Sequence, residues 1–273
     1  MSKRITTAVA ILGVTGVFSG CNFEQPSAGC QVQDATDAPW QAAYFLTNPE
    51  RDSGKTCNVL KGEALGAFKY INPETGHTYM ALRPTGAASL IEVDDYTDPE
   101  NPGSIRRVED PTLATSLSQT LDAEPNATGL CGATGFAPIS ITVATPITYT
   151  DIAGQPQSSP AQTVAYAFDN VQVYSAPSAP GTQLQATVKY SDGAGCEVEY
   201  RMLALWPQVP CSVEAFNNPT ENNAANRCAE GSGLNPDFDA VCIANIGPAA
   251  YEEDEDGNVT AIIPQGGCVP NPA

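Results

Sequence analysis

Residues able to carry chemistry are scarce in this chain. His77 is the only histidine among 273 residues, so any Ser-His-Asp or Cys-His arrangement would have to be built on it. It follows the turn sequence Asn72-Pro73-Glu74-Thr75-Gly76, the place of a solvated turn residue rather than a general base. No G-x-S-x-G segment and no C-x-x-C pair occurs. That removes the serine-hydrolase elbow and, with a single imidazole, the usual zinc ligand sets. Lys and Arg total 12 against 31 Asp and Glu. So acidic a surface repels nucleic acid and anionic lipid headgroups. The N-terminal apolar stretch, Ile5 to Phe18, is 14 residues long, short of the roughly 20 that a spanning helix needs.

That stretch has another use. Lys3-Arg4 is a basic start, Ile5 to Phe18 an uncharged core, and Ser19-Gly20 a small-residue cut site before Cys21. This is the layout of a secretory signal, and it predicts removal of residues 1–20. Small residues followed directly by Cys resemble the lipobox of bacterial lipoproteins. The resemblance implies a diacylglycerol on the Cys21 thiol and acylation of the new amine. Phe18 stands where that motif usually has Leu. Each buried methylene contributes about 0.8 kcal/mol, so several chains hold firmly where one holds weakly. Position 22 is Asn rather than the Asp that marks inner-membrane retention in enteric lipoproteins, which implies the outer membrane.

Cys21 also resolves an odd count. Of nine cysteines, eight remain: Cys30, Cys57, Cys131, Cys196, Cys211, Cys228, Cys242 and Cys268. An even number in an exported chain predicts four disulfides, whose pairing the sequence leaves open among 105 connectivities. Loss of the signal leaves ten basic residues against 31 acidic ones, hence a net charge of −21.

Gly and Pro number 23 each, which favours turns and short strands over long helices. Trp40, Ala42, Tyr44 and Leu46 alternate as a strand. Residues 65–83 read as a hairpin about the Asn72–Gly76 turn, and Ser89 to Val93 as a short strand. Asp110-Pro111 looks like a helix start, and Leu113, Leu117 and Leu121 recur every four residues. Together they predict a helix over about 111–122. Residues 138–149, rich in Ile, Thr and Val, read as strand. Val164, Tyr166 and Phe168 alternate out of phase with Val171 and Val173, which predicts a bulge near Asp169-Asn170. The clearest hairpin is 182–206, turning at Ser191–Gly195.

Three constellations merit weighing. Glu252, Asp254, Asp256 and Asn258 around Gly257 imitate half of a calcium loop, although the first ligand is Glu and the position expected for a bidentate acid is Ile263. The same residues suit a hydrated hairpin tip. Asp94-Asp95 and Asp237/Asp239 are carboxylate pairs that an acid-only hydrolase could recruit, but surface charge is the plainer account. Trp40, Tyr44, Tyr166, Phe168, Tyr190, Tyr200 and Trp206 lie on strand faces. They form either a core or, if the strands close, the lining of a lumen for an apolar ligand.

Scattered positions also resemble a family. Cys30-Gln31-Val32-Gln33-Asp34, Leu60-Lys61-Gly62 with Lys69-Tyr70, and Phe168, Tyr190, Cys196, Tyr200 and Leu205-Trp206-Pro207 are similar to the Mlp-type outer-membrane lipoproteins of myxobacteria. The resemblance implies a lipid anchor and an outer-membrane address, and carries no reaction. The expected fold is mainly β, an antiparallel sandwich or an eight-stranded barrel-like domain with one short helix. Residues 1–20 are the signal, 21–35 a flexible tether, 36–207 the β domain, and 208–273 a Cys-rich appendix packed on it. The expected role is a binding or structural module, not an enzyme, without a cofactor or nucleic acid, held at the membrane by its lipid, with its protein partner unknown. The competing readings are a lipocalin-like carrier and a hydrolase with an acid-only site.

Overall fold

The computed structural model describes residues 29–98, 103–106, 110–212, 228–229, 231–235 and 238–272. The signal stretch, Cys21 and Asp237 lie outside them. The chain is mainly β. Its principal element is a curled antiparallel sheet, a half-barrel of ten strands. In chain order the strands are β1 (Trp40–Leu46), β2 (Gly62–Ile71), β3 (Thr78–Pro84), β4 (Glu92–Asp95), β5 (Gly103–Arg106), β6 (Ser116–Leu117), β7 (Thr120–Leu121), β8 (Leu130–Thr134), β9 (Ile139–Val143), β10 (Ile147–Thr150), β11 (Pro156–Ser159), β12 (Gln162–Ala176), β13 (Ala179–Ser191), β14 (Glu197–Leu205), β15 (Pro210–Cys211), β16 (Ala240–Ile243), β17 (Ala250–Glu253), β18 (Val259–Ile263) and β19 (Gly266–Pro270). The half-barrel runs β6-β3-β2-β1-β14-β13-β12-β8-β7, with β9 also paired to β12. Strands β4–β5, β10–β11 and β17–β18 form separate hairpin-like pairs.

Alternation explains the long strands. On β13 and β14, Leu184, Ala186, Val188, Tyr190, Val198, Tyr200, Met202 and Ala204 point inward and are buried, in the register of a regular hairpin. The hairpin expected over 65–83 is β2–β3, with Ile71 opposite Thr78. The predicted phase shift on β12 is present. Val164, Tyr166 and Phe168 are buried, Asp169 and Asn170 are exposed, and Val171 and Val173 are buried again. The register with β13 slips between Asp169 and Gln172, and Asn170 takes φ 50°. An extra residue in one strand restores the inward phase at the cost of one unpaired position.

The helix expected over 111–122 is not formed. A single 3-10 turn, Pro111–Ala114, stands there, capped by Asp110 as anticipated, and β6 and β7 follow. Leu113 and Leu117 are exposed; Ala114, Ser116, Ser118 and Leu121 are buried instead. The inward row was a two-residue alternation of small side chains, not a four-residue stripe of leucines. Tertiary demand decides it. β6 pairs with β3 and β7 with β8, so this one segment joins the two ends of the curled sheet. Ser118 N–H donates to the Met80 carbonyl at 2.8 Å and Gln119 N–H to Thr134 at 2.8 Å. A helix would satisfy its own backbone and leave both sheet edges open. The strand expected at Ser89–Val93 begins at Glu92, because Thr85–Ala88 forms one helical turn, α2, after β3. The other short turn is α1, Pro49–Asp52.

The eight cysteines form Cys30–Cys131, Cys57–Cys196, Cys211–Cys242 and Cys228–Cys268. Residues 30–35, expected as part of the tether, are held against the fold: Cys30 is fully buried, and its N–H donates to Ala123. On the outer side of β1, Gln41 and Ala43 are also fully buried, since the sheet β15-β19-β16 lies over them. Ala43 packs with Ile246 and Val269. Gln41 Nε2 donates to the Ile246 carbonyl at 2.6 Å, and its Oε1 accepts from Gln208 at 2.8 Å. A side chain at Gly267 would come within 2.6 Å of Gln41, so that close approach requires glycine.

Candidate functional site

Two places in the half-barrel gather polar groups. The first is at the end where β2 and β14 begin. On β2 the inward row is Glu63, Leu65, Ala67 and Lys69, with Leu65 and Ala67 fully buried between the two charges. Glu63 Oε1 accepts from the Tyr44 hydroxyl at 2.7 Å, and Oε2 from the Gly86 N–H at 2.5 Å. Tyr166 closes the space. A Cβ at Gly86 would stand 2.6 Å from the Tyr166 hydroxyl and 3.1 Å from Glu63 Oε2. Tyr190 meets Tyr166 edge-on at 5.2 Å, and Tyr200 meets Tyr44 edge-on at 5.8 Å. Glu63 keeps some exposure as a residue, but protein atoms crowd its carboxylate. Burial therefore pushes its pKa up to about 6, against the opposing hydrogen bonds from Gly86 and Tyr44. Burial likewise raises the Tyr44 and Tyr166 hydroxyls, with the Glu63 charge adding to the effect.

An acid with a raised pKa is half of what an acid-only hydrolase needs. The groups that bond to this carboxylate are a phenol and a backbone N–H, not a second carboxylate. Asp95 Oδ1 accepts from the Thr97 and Thr150 N–H groups, and Asp239 accepts from Asn271. His77 is exposed in the β2–β3 turn.

The second place is the outer face of β12, β13 and β14. Tyr174 lies opposite Gln183, and Gln172 opposite Gln185, with Leu203 next in the row. Gln185 Nε2 donates to Gln172 Oε1 at 2.7 Å. Leu130, Leu184, Arg201, Pro270 and Asn271 complete the lining of a shallow trough between the sheet and the C-terminal segment. Arg201 donates to the Pro272 carbonyl at 3.1 Å.

The aromatic set forms core rather than a lumen wall: Trp40, Tyr44, Tyr166, Phe168, Tyr190 and Tyr200 are buried together, and Trp206 packs against them. A lipocalin-like carrier needs that volume empty. Of the calcium-loop residues, the β17–β18 turn brings Asp254 and Asn258 together. Asp254 Oδ1 accepts from the N–H groups of Asp256 and Asn258 and from the Asn258 side chain. The Asn258 side chain, then its backbone, holds the Asp254 carboxyl below its ordinary range. Glu252 lies on β17 and Asp256 in the turn. Sulfur triads such as Cys211, Cys228 and Cys268 consist of disulfide-bonded atoms and offer no thiolate.

Comparison with known proteins decides the family. Residues 38–207 match the MlpA family. The chain belongs to the MlpA family. The match runs from the start of β1 to just past β14, which takes in the half-barrel, the Glu63 site and the strand residues of the trough, but not Pro270 and Asn271. A Myxococcus xanthus protein described as "Putative lipoprotein MlpA" is 38% identical over 250 residues, covering 89% of this chain and 91% of its own length. No solved structure matches. The description of that relative is consistent with association with a membrane, and no described helix is long and apolar enough to cross one.

Glu63 was legible and was missed. It stands two residues before Leu65 and four before Ala67, in phase with the inward row, and a charge on that phase marks a buried polar position. The trough had no local signal, since its rows join three strands.

Proposed function

We propose that this MlpA-type chain is an outer-membrane lipoprotein, lipid-anchored through Cys21, whose half-barrel is a non-catalytic binding module. Its binding face is the trough on β12–β14. One observation carries the reading: the inside of the half-barrel is filled by its own aromatic side chains, which leaves the outer surface for a partner. The trough floor is built of planar amides, Gln172, Gln183 and Gln185, with one cation, Arg201, at the side. Amides both donate and accept, and Tyr174 adds an amphipathic ring. Leu130, Leu203 and Pro270 add apolar area, so this is a surface for a largely uncharged ligand with both polar and apolar groups. Retention at the membrane is read by fractionation: Cys21→Ala should move to the soluble fraction. A Cys21→Ala variant that stays with membranes and keeps its mass shift removes the anchor. For the face, a photoreactive residue at Gln183 should crosslink a discrete species in intact cells. The same residue at Glu253, on the distant hairpin, should not.

A further inference from the structure

The first described residues lie beside one of the protein's own exposed hairpin tips. Lys69 Nζ donates to the Cys30 carbonyl, and Lys69 is one residue before Tyr70 on β2. Tyr70 pairs with Tyr79, and Ile71 with Thr78. So Cys30 sits at the base of the β2–β3 turn. That turn is greasy for a surface loop: Tyr70 is 51% exposed and Ile71 61%, the highest value among the exposed large apolar side chains of the described residues. Pro73 is exposed and Tyr79 partly so. Over Tyr70–Tyr79 the only acid is Glu74. Exposed apolar groups clustered on a loop mark an interaction surface.

The covalent chain limits what that surface can meet. Seven residues, 22–28, lie between Cys21 and Gly29. At no more than about 3.6 Å per residue, a lipid on Cys21 is held within roughly 30 Å of Cys30. The β2–β3 turn therefore lies within reach of the membrane. Tyrosine is favoured at the boundary of headgroups and acyl chains, where its ring is buried and its hydroxyl stays wet. Another exposed apolar cluster, Tyr251, Ile262 and Ile263, shares its hairpin with Glu252, Glu253 and Asp254, charges that resist a lipid interface.

We propose that the β2–β3 turn, through Tyr70, Ile71 and Tyr79, inserts shallowly into the phospholipid surface that holds the anchor. It is a second membrane contact. It turns the opposite end of the half-barrel, with Glu63, away from the bilayer. The proposal rests on the lipid anchor at Cys21. The test uses full-length lipidated protein reconstituted in phosphatidylcholine vesicles, with or without bromine on the acyl chains. Tyr70→Trp and Tyr251→Trp are compared, and the signal of the native tryptophans is subtracted. The expected result is at least twofold quenching of Tyr70→Trp by brominated lipid and none of Tyr251→Trp. Flotation of the same samples separates two failures. Protein that floats with vesicles but shows no quenching of Tyr70→Trp, or equal quenching at both positions, overturns the contact and leaves the anchor standing. Protein that does not float overturns the anchor and the contact with it.

Discussion

Glu63 is charged in water and crowded in the fold. Its pKa rises from 4.5 to about 6 through burial. Between these values the folded state binds more of this proton than the unfolded chain, so stability falls as pH rises through the window and levels off above it. A shift of that size corresponds to about 2 kcal/mol at most. Several aspartates act with the opposite sign at lower pH. Asp34, Asp95 and Asp110 are held below their usual range, mainly by hydrogen bonds to neighbouring Thr residues. Their contribution is present near neutrality and lost in acid. The informative quantity is therefore a difference. Glu63→Gln should gain about 1–2 kcal/mol relative to the parent between pH 4.5 and 6.5, read from urea midpoints across that range. A difference that does not change with pH would show that the carboxylate is better solvated than its surroundings indicate.

Among elements, β12 shows how far alternation carries a reading. The two phases on either side of Asp169-Asn170 were legible because large apolar side chains sat on both, and only a bulge could keep them inward. The 111–122 segment misled for the opposite reason. Its leucines obeyed a helical period, while the buried row was Ala114, Ser116 and Ser118, too small and polar to stand out. What fixed it was the need of two distant sheet edges for partners, which no local window contains. The C-terminal sheet was illegible likewise, being short strands held by two disulfides. The bulge yields a prediction. Asn170 at φ 50° occupies a conformation that a β-branched residue resists at about 1–2 kcal/mol. Asn170→Val should lose about that much stability, and Asn170→Gly should stay within about 0.5 kcal/mol of the parent. Equal losses for both variants in chemical denaturation would place the cost in the side chain's contacts and not in the backbone.

At the scale of the molecule, two disulfides bracket the half-barrel. Cys57–Cys196 lies at the Glu63 end, where the Cys57 N–H also donates to Cys196 Sγ at 3.3 Å. Cys30–Cys131 lies at the opposite end, beside the first described residue, Gly29. They close separations of 139 and 101 residues, the longest in the protein. The sheet they bracket is itself a long-range assembly, since β1 pairs with β14 across more than 150 residues of sequence. Cross-links over such spans restrict the unfolded chain most. On loop-closure entropy each contributes about 4–5 kcal/mol, a large share of the 5–15 kcal/mol typical of a folded domain. This makes export part of the folding problem: in a reducing compartment the half-barrel would lose both constraints. Replacing Cys30 and Cys131 together by Ala should lower unfolding free energy by about 3–5 kcal/mol without changing the far-ultraviolet circular dichroism of the folded protein. The same replacement at Cys57 and Cys196 should cost about as much. A loss under about 1 kcal/mol for either pair would mean that the unfolded chain is already compact enough for the cross-link to be redundant.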